Sequence, residues 1–486
     1  MNGNKNSKKI FCLLVIICFL TLSFNNSIAD NSISDISAEL SYGFIVSSII
    51  DGNYTKIDKT NCKIRHMIND FLRNEIPVFW NAEELSVKIK KINSSQINEE
   101  LLGRGSYIIP FTGNSTDNKK IISIIYDYNK SSEIEINDNI SVPTYYLLEK
   151  LEVKAYQLNK VKIAQIFHRI TSGGFLFLQL LTKCGFLDYN PLLDKDVYKK
   201  LKNDDYNVVF HPGRFNIINT IPHDLFSDLL YRTSDGIRSF VKNGGGYIGC
   251  CGGLIRAGAG GYTPFIYFKR NVYNPNLRSF IVLSIADLLI KPPPQLNTAV
   301  QVKLINNSSP ITFGLDEILW DSWYGGHHVF HTGENVEVIG EFYNTGTVVD
   351  ETPVWITAKF GKGKVAAFTT HPEIAGVSYG MENESQLNNG KTVISNSLFY
   401  LTADEKIEHQ TIFSKSLSYI KNIFNLTENL TKNITDISHI FNPFRDKINK
   451  TKLQINSLSN NFSEILSNIR DIASKNNVNL SQKNNK

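Results

Sequence analysis

Cysteine is scarce in this chain, with six among 486 residues. Two of them, Cys12 and Cys18, fall in a leader-like N-terminus, which leaves Cys62, Cys184, Cys250 and Cys251 for the remainder. Four thiols at this length exclude a disulfide-built scaffold, and the adjacent Cys250 and Cys251 do not readily bridge within a strand. A Cys62–Cys184 bond stays open, without support from the sequence. Charge of one sign is lacking too: the net charge is +5, and Lys is interspersed with Asp and Glu. No basic stripe forms, so nucleic-acid binding drops out of consideration. Metal-ligand spacing is also missing. On a strand His327 and His331 share one face and His328 the other, with no Cys or carboxylate cluster beside them. They read as edge-strand histidines lining a pocket, and neither a metal nor a cofactor is indicated.

The apolar run Ile10 to Phe24 is short for a membrane span. Lys5, Lys8 and Lys9 precede it and Ser27-Ile28-Ala29 follows, the layout of a secretory signal with a small-x-small cleavage site. Residues 1–29 are therefore expected to direct export and to be cleaved near Ala29, giving a secreted or cell-surface protein. Retention as an uncleaved anchor is the other outcome, and the one that would place the chain on a membrane. Asn-x-Ser/Thr triplets recur from Asn53 to Asn479 and become glycosylation acceptors if the chain is exported.

With 42% apolar residues, a chain of this length can bury at least two cores. Residues 36–158 read as a smaller α/β domain. Strands are predicted at Tyr42–Ser48, Pro77–Trp80, Ser106–Phe111 and Ile121–Tyr126, with an amphipathic helix over Cys62–Glu75. Strand, helix, strand in that order argues for a parallel pair. No chemical motif appears there. Residues 160–402 read as a second α/β domain with a doubly wound, mostly parallel sheet. Its predicted strands Val161–Phe167, Tyr206–Phe210 and Tyr247–Cys250 alternate with helices over Gly173–Lys183 and Phe226–Lys242. Four later strands precede a closing helix over Lys391–Leu401, and Gly361-Lys362-Gly363 forms a hairpin turn between the last two. Residues 404–486 have almost no glycine, and Ile455, Leu458, Phe462, Ile465, Ile469 and Ile472 step by three and four. That tail reads as helical, coiled-coil-like and suited to packing or self-association, broken at Pro443 into a helical hairpin or kinked pair, with an amphipathic helix lying on a membrane as the second reading.

The chemistry concentrates in Gly244-Gly-Gly-Tyr-Ile-Gly-Cys-Cys-Gly-Gly253. Within it Gly249-x-Cys251-x-Gly253 has the spacing of a nucleophile elbow, a strained strand-to-helix turn that lifts one side chain above a sheet edge. A thiol attacks best as thiolate, and an imidazole can lower its pKa and then protonate the leaving group. A carboxylate fixes the imidazole's tautomer. Cys251, His371 and Glu373 each follow a predicted strand, and His371 and Glu373, two apart on an extended segment, would point the same way. The bland reading stands beside this one: a glycine-flanked Cys is more often a small buried residue. Cys250 is expected to face the sheet core as a structural residue. Arg214 and Arg256 would flank the pocket mouth, either holding a carboxylate or facing solvent. Trp320, Trp323 and Tyr324 read as packing residues.

Tyr206 to Gly213, Gly244 to Gly253 and His371-Pro372-Glu373, in this order and separation, resemble the class I glutamine amidotransferase-like fold. Within it the likeness is nearest to domains named after the N-terminal part of eukaryotic biotin-protein ligases, on Gly244 to Cys251, Tyr324-x-Gly326 and the His-Pro-Glu. It covers about residues 160 to 402. The resemblance implies Cys251 as nucleophile, His371 as general base and then acid, and Glu373 as its orienter. It also implies an oxyanion site from the N–H groups of Gly252 and Gly213, each such donor contributing about 3 kcal/mol to the transition state. Pro212-Gly213-Arg214 departs from the family's usual Pro-Gly-Gly.

Two functions follow. One is a cysteine-dependent hydrolase acting on a small-molecule or peptide amide through an acyl-thioester. Glutamine amidotransfer itself would need a synthetase and nucleotide that an extracellular chain lacks, and no biotinyl-adenylate loop or ligase domain is present. The other is a non-catalytic surface protein that uses the same fold as a ligand-binding or structural platform, assembled through the helical tail.

Overall fold

The structure, a computed structural model, describes residues 42–48, 52–92, 96–112, 114–130, 141–149, 151–167, 172–212, 230–258, 260–262, 267–269, 283–291, 298–323, 328–375, 384–404 and 407–411. The expected signal at 1–29 and the heptad-like tail past residue 411 lie outside the described residues, as do Gly213, Arg214, Tyr324, Gly326 and His327. The described chain is a mixed α/β protein.

The first helix, Tyr54–Arg73, starts where the Asn53 side chain accepts the Lys56 N–H at 3.0 Å. Ile64, Met67, Ile68 and Phe71 form its buried face. Seven strands build the sheet beneath it: β1 (Gly43–Val46), β2 (Phe79–Asn81), β3 (Leu85–Lys91), β4 (Ile97–Leu102), β5 (Tyr107–Pro110), β6 (Thr144–Leu147) and β7 (Glu152–Gln157). Their order is β7-β2-β5-β1-β6-β3-β4, and every neighbouring pair is antiparallel. The expected parallel pair does not form, because β5 enters between β1 and β2 and pairs antiparallel with both. Ile121–Tyr126, expected as a strand, belongs to the helix Ser115–Lys130. Its β-branched residues sit on a helical face, with Ile121 and Ile125 buried four apart and Tyr126 exposed.

The second sheet begins with β8 (Ile163–Ile166), β9 (Tyr189–Leu192), β10 (Val208–His211) and β11 (Gly246–Cys250). A small sheet follows from β12 (Gly260–Tyr262), β13 (Tyr267–Lys269) and β14 (Leu288–Lys291). The large sheet resumes with β15 (Thr298–Leu304) and β16 (Ile318–Trp323), while β17 (His328–Thr332) joins the small one. β18 (Val336–Tyr343), β19 (Pro353–Phe360) and β20 (Gly363–Phe368) complete the large sheet, in the order β16-β15-β18-β19-β20-β11-β10-β8-β9. Gly361, at φ 61°, and Lys362 make the tight turn from β19 to β20. Only the run β20-β11-β10-β8-β9 is parallel; β16, β15, β18 and β19 add antiparallel pairings. The mostly parallel, doubly wound sheet expected from the sequence is thus corrected to a mixed one. The tight turn from β19 to β20 permits only antiparallel neighbours there, whereas the parallel half carries a helix-containing crossover after β8, β9 and β10.

Residues alternate between the two faces of this sheet. Phe210, Ile248, Cys250 and Phe368 pack with the helices Ser172–Lys183 and Glu384–Thr402, and Phe177 stacks on Phe210 with centroids 3.5 Å apart. Val209, Tyr247 and Ala367 face the helices Asp194–Asn203 and Thr233–Lys242. The first core runs on to Phe44, Trp80 and Tyr107 of the N-terminal sheet, with Phe399 against Trp80 and Tyr107. A last strand, β21 (Ile407–Thr411), pairs antiparallel with β7 on that sheet's edge. Those five residues are extended, where the sequence reading began a helical tail at about 404.

Candidate active site

Three neighbouring parallel strands, β10, β11 and β20, end at the same edge of the large sheet. Ligand chemistry in open α/β sheets gathers at such carboxyl ends. Immediately past β11, Cys251 adopts φ 51°, ψ −105°, a conformation that side-chain-bearing residues rarely take, and the helix Gly252–Ala257 begins. Its N–H donates to the Phe368 carbonyl of β20 at 2.7 Å, and Ile255 N–H donates to the Cys251 carbonyl at 3.2 Å. The flanking glycines have a steric cause. A Cβ on Gly249 would lie 2.7 Å from the Gly253 carbonyl carbon, and a Cβ on Gly253 would lie 2.2 Å from the His211 carbonyl oxygen. The Gly249-x-Cys251-x-Gly253 spacing is what lets this turn close against β10.

Beyond β20 the chain passes through Thr369 and Thr370 to His371, whose N–H donates to the Ser322 carbonyl at 2.7 Å. His371 Nδ1 and Glu373 Oε1 are 2.8 Å apart, with the histidine 4% exposed and the carboxylate fully buried. The pair does not meet along an extended segment, as expected from the sequence. Glu373 lies in the short helix Pro372–Ala375, whose turn folds the carboxylate back onto the imidazole.

Cys251, itself 4% exposed, lies near enough to His371 for its sulfur to bear on the imidazole's charge. Burial alone pulls the imidazole pKa down, but the Glu373 carboxylate, the Cys251 sulfur and hydrogen bonds to both outweigh it and raise it well above the ordinary range. The arrangement favours imidazolium, fixed by Glu373 on one side and facing sulfur on the other. Chemically it can hold a thiolate and return a proton to a departing group.

Two further groups complete the cluster and were not read as site residues. Cys250 is fully buried on β11, and burial, with the nearby Glu373 charge, pushes its thiol well up. Asp321 on β16 is also buried, with Ser322 N–H at 2.7 Å and Trp355 Nε1–H at 3.2 Å. Burial raises its carboxyl to about 7 against the hydrogen bonds from Thr370, Ser322 and Trp355, with the nearby Glu373 charge adding to the rise. No local motif marks Asp321, because β12 to β15 separate it from Cys251 in sequence and it meets Thr370, Trp355 and Glu373 only in the folded chain.

Gly252 opens the helix after Cys251, so its N–H lies among those without an intrahelical acceptor. Gly213 and Arg214, the other residues expected at the oxyanion site and pocket mouth, lie outside the described residues. Arg256 is buried and donates to Ser234 Oγ at 2.7 Å, so it is held inside and does not face solvent. Trp323 is buried with its ring 4.8 Å from Phe342, whereas Trp320 is 39% exposed. His328 is buried and His331 exposed on β17. Among the described residues no group of three or more His, Cys, Asp or Glu is placed to hold a metal, and no helix is long and apolar enough to cross a membrane.

No family model matches the chain, and no curated protein does. Among solved structures it is similar to PurLQS from Thermotoga maritima, at 16% identity over 50% of this chain and 99% of that one, with a TM-score of 0.35. A glutamine amidotransferase matches at 15% identity over 48% of this chain and 98% of that one, TM-score 0.32. A ThuA-like protein from Bacteroides uniformis matches at 15% identity over 50% and 91%, TM-score 0.34. With TM-scores of this size, the architecture rests on the chain's own strand order and register.

Proposed function

We propose that this chain is a cysteine-dependent hydrolase of amide bonds, built on a class I glutamine amidotransferase-like fold of the biotin-protein ligase N-terminal type. One observation carries the reading: Cys251 stands on a strained turn at the sheet edge where its sulfur bears on the charge of His371, and His371 Nδ1 is 2.8 Å from Glu373 Oε1. In this reading the Cys251 thiolate attacks the amide carbonyl. The Gly252 N–H, with one from Gly213, faces the developing oxyanion, and His371 protonates the leaving amine. Water then attacks the thioester with His371 as base, releasing the acid and restoring the thiolate. Arg214 offers a positive charge to a carboxylate-bearing small-molecule or peptide amide. The N-terminal leader places this chemistry outside the cell or on its surface, and the tail brings copies of the chain together.

Treatment of the native chain with iodoacetamide near neutral pH, followed by peptide mapping, tests the reading. Cys251 is expected to alkylate well ahead of a free thiol. Labelling no faster than that, or only after unfolding, removes the enzyme and leaves the non-catalytic surface protein.

A further inference from the structure

We propose that Asp321 is a positioning residue for His371, holding the backbone of Thr370 and His371 through two hydrogen-bonded arms. This role rests on the triad reading, since it is the imidazole of that triad that the arms hold.

The arms exist because the large sheet curls. Four strand steps separate β16 from β20 in the order β16-β15-β18-β19-β20, roughly 19 Å in a flat sheet. Yet the Ser322 carbonyl on β16 accepts the N–H of His371, just past β20, at 2.7 Å. The edge strand has come back over the chain that leaves β20, and the helix Pro372–Ala375 touches it there. Asp321, 1% exposed, stands where the two meet.

One arm runs through the backbone of Ser322. Asp321 Oδ1 accepts the Ser322 N–H at 2.7 Å, and the Ser322 carbonyl is the group that takes the His371 N–H. The other arm runs through an indole. Asp321 Oδ2 accepts Trp355 Nε1–H at 3.2 Å, and the same N–H reaches Thr370 Oγ1 at 2.9 Å. Trp355 and Thr370 are both buried, so solvent does not compete for that N–H. The two arms end on adjacent residues, and the second carries the imidazole. Glu373 at Nδ1 sets how the ring turns, and Asp321 sets where the ring is hung.

Both partners of the carboxylate are N–H donors, so an acceptor-only group fits between them. An asparagine there would turn its own amide N–H toward Ser322 or toward Trp355, and one arm would open. Cys251 would not follow, because its N–H is fixed to the Phe368 carbonyl at 2.7 Å. The imidazole would shift against a stationary sulfur.

The full native chain is compared with Asp321→Asn and with Ile68→Val, a core change in the first helix. Alkylation of Cys251 by iodoacetamide is followed across pH, below every melting midpoint, and the His371 Nδ1 proton is followed by magnetic resonance of histidine-labelled chain. Asp321→Asn should slow Cys251 about threefold at neutral pH, move the half-maximal rate about 0.5 higher in pH, and displace the Nδ1 proton resonance. Ile68→Val should lower the melting midpoint and move none of these. An Asp321→Asn chain that behaves as Ile68→Val does overturns the proposal. If the asparagine variant fails to fold, Thr370→Val decides by the same readouts, since it removes only the hydroxyl that ends the indole arm. Slow labelling of Cys251 in the native chain would sink the hydrolase reading instead, and the Nδ1 resonance then decides for Asp321 alone, because the arms need no thiolate.

Discussion

Two cysteine pairs lie among the described residues, and they differ in the groups that surround them. At the sheet edge Cys251 faces His371, while Cys250 is pushed up by burial and Glu373. Among the helices Cys184 is surrounded by Arg65, Lys391 and Ser395, while Cys62 is held protonated. The difference lies in the cation. An imidazolium stabilises a thiolate and can hand its proton onward, so it serves acyl transfer. A guanidinium keeps its proton throughout, so the Arg65 cluster stabilises charge without a proton to give. The same residue type therefore points to hydrolysis only where an imidazole stands beside it. Backbone supports the contrast: Cys251 sits on a strained turn beside a helix start, whereas Cys62 and Cys184 lie on regular helix or its end.

The sharpest way to break the comparison is His371→Ala. Alkylation of Cys251 near neutral pH is expected to slow about a hundredfold, measured as a pseudo-first-order rate with peptide mapping, while Cys184 stays unchanged. An equal loss at both would mean a general loosening of the fold. Glu373→Gln comes next, with an expected loss of about tenfold at Cys251. In the intact chain the raised imidazole pKa adds stability that is full below about pH 6.5 and is lost as pH rises through the raised value. Removing the carboxylate moves that loss to lower pH, which imidazole proton resonances followed through a titration would register. Arg65→Met should reduce the thiolate at Cys184 about fivefold near pH 7, read from ultraviolet thiolate absorbance, and leave Cys251 alone. The smallest effect belongs to Asp321→Asn. Its carboxyl titrates near 3.9 when unfolded and at about 7 when folded. Its contribution to stability is therefore greatest below about pH 4, declines up to about pH 7 and is flat above. The asparagine variant should lack that slope in urea midpoints taken at pH 5 and pH 7.5.

The strand ends at the site were legible because Val208 to Phe210 runs apolar into His211, and Tyr247 to Cys250 runs buried into Cys251 and two glycines, as buried parallel strands do. The elbow was legible for a steric reason: Gly249 and Gly253 stand where any Cβ would strike backbone. Pairing in the N-terminal sheet was not, since the partner that separates β1 from β2 arrives from farther along the chain. Ile121–Tyr126 misled because β-branched residues suit a strand locally, while the packing of Ile121 and Ile125 into the core decided for a helix. Asp321 stayed hidden for the same reason as β5: its neighbours Thr370, Trp355 and Glu373 are near only after folding.

Local chemistry in the sequence determined which segments are buried strands, where glycine must stand and which side chains could do chemistry. Tertiary structure alone decided strand neighbours, the turn that folds Glu373 onto His371, and the meeting of Asp321 with Trp355. Burial and apolar spacing act over a few residues and can be read from order, whereas pairing and charge depend on which distant groups end up sharing the same dry space.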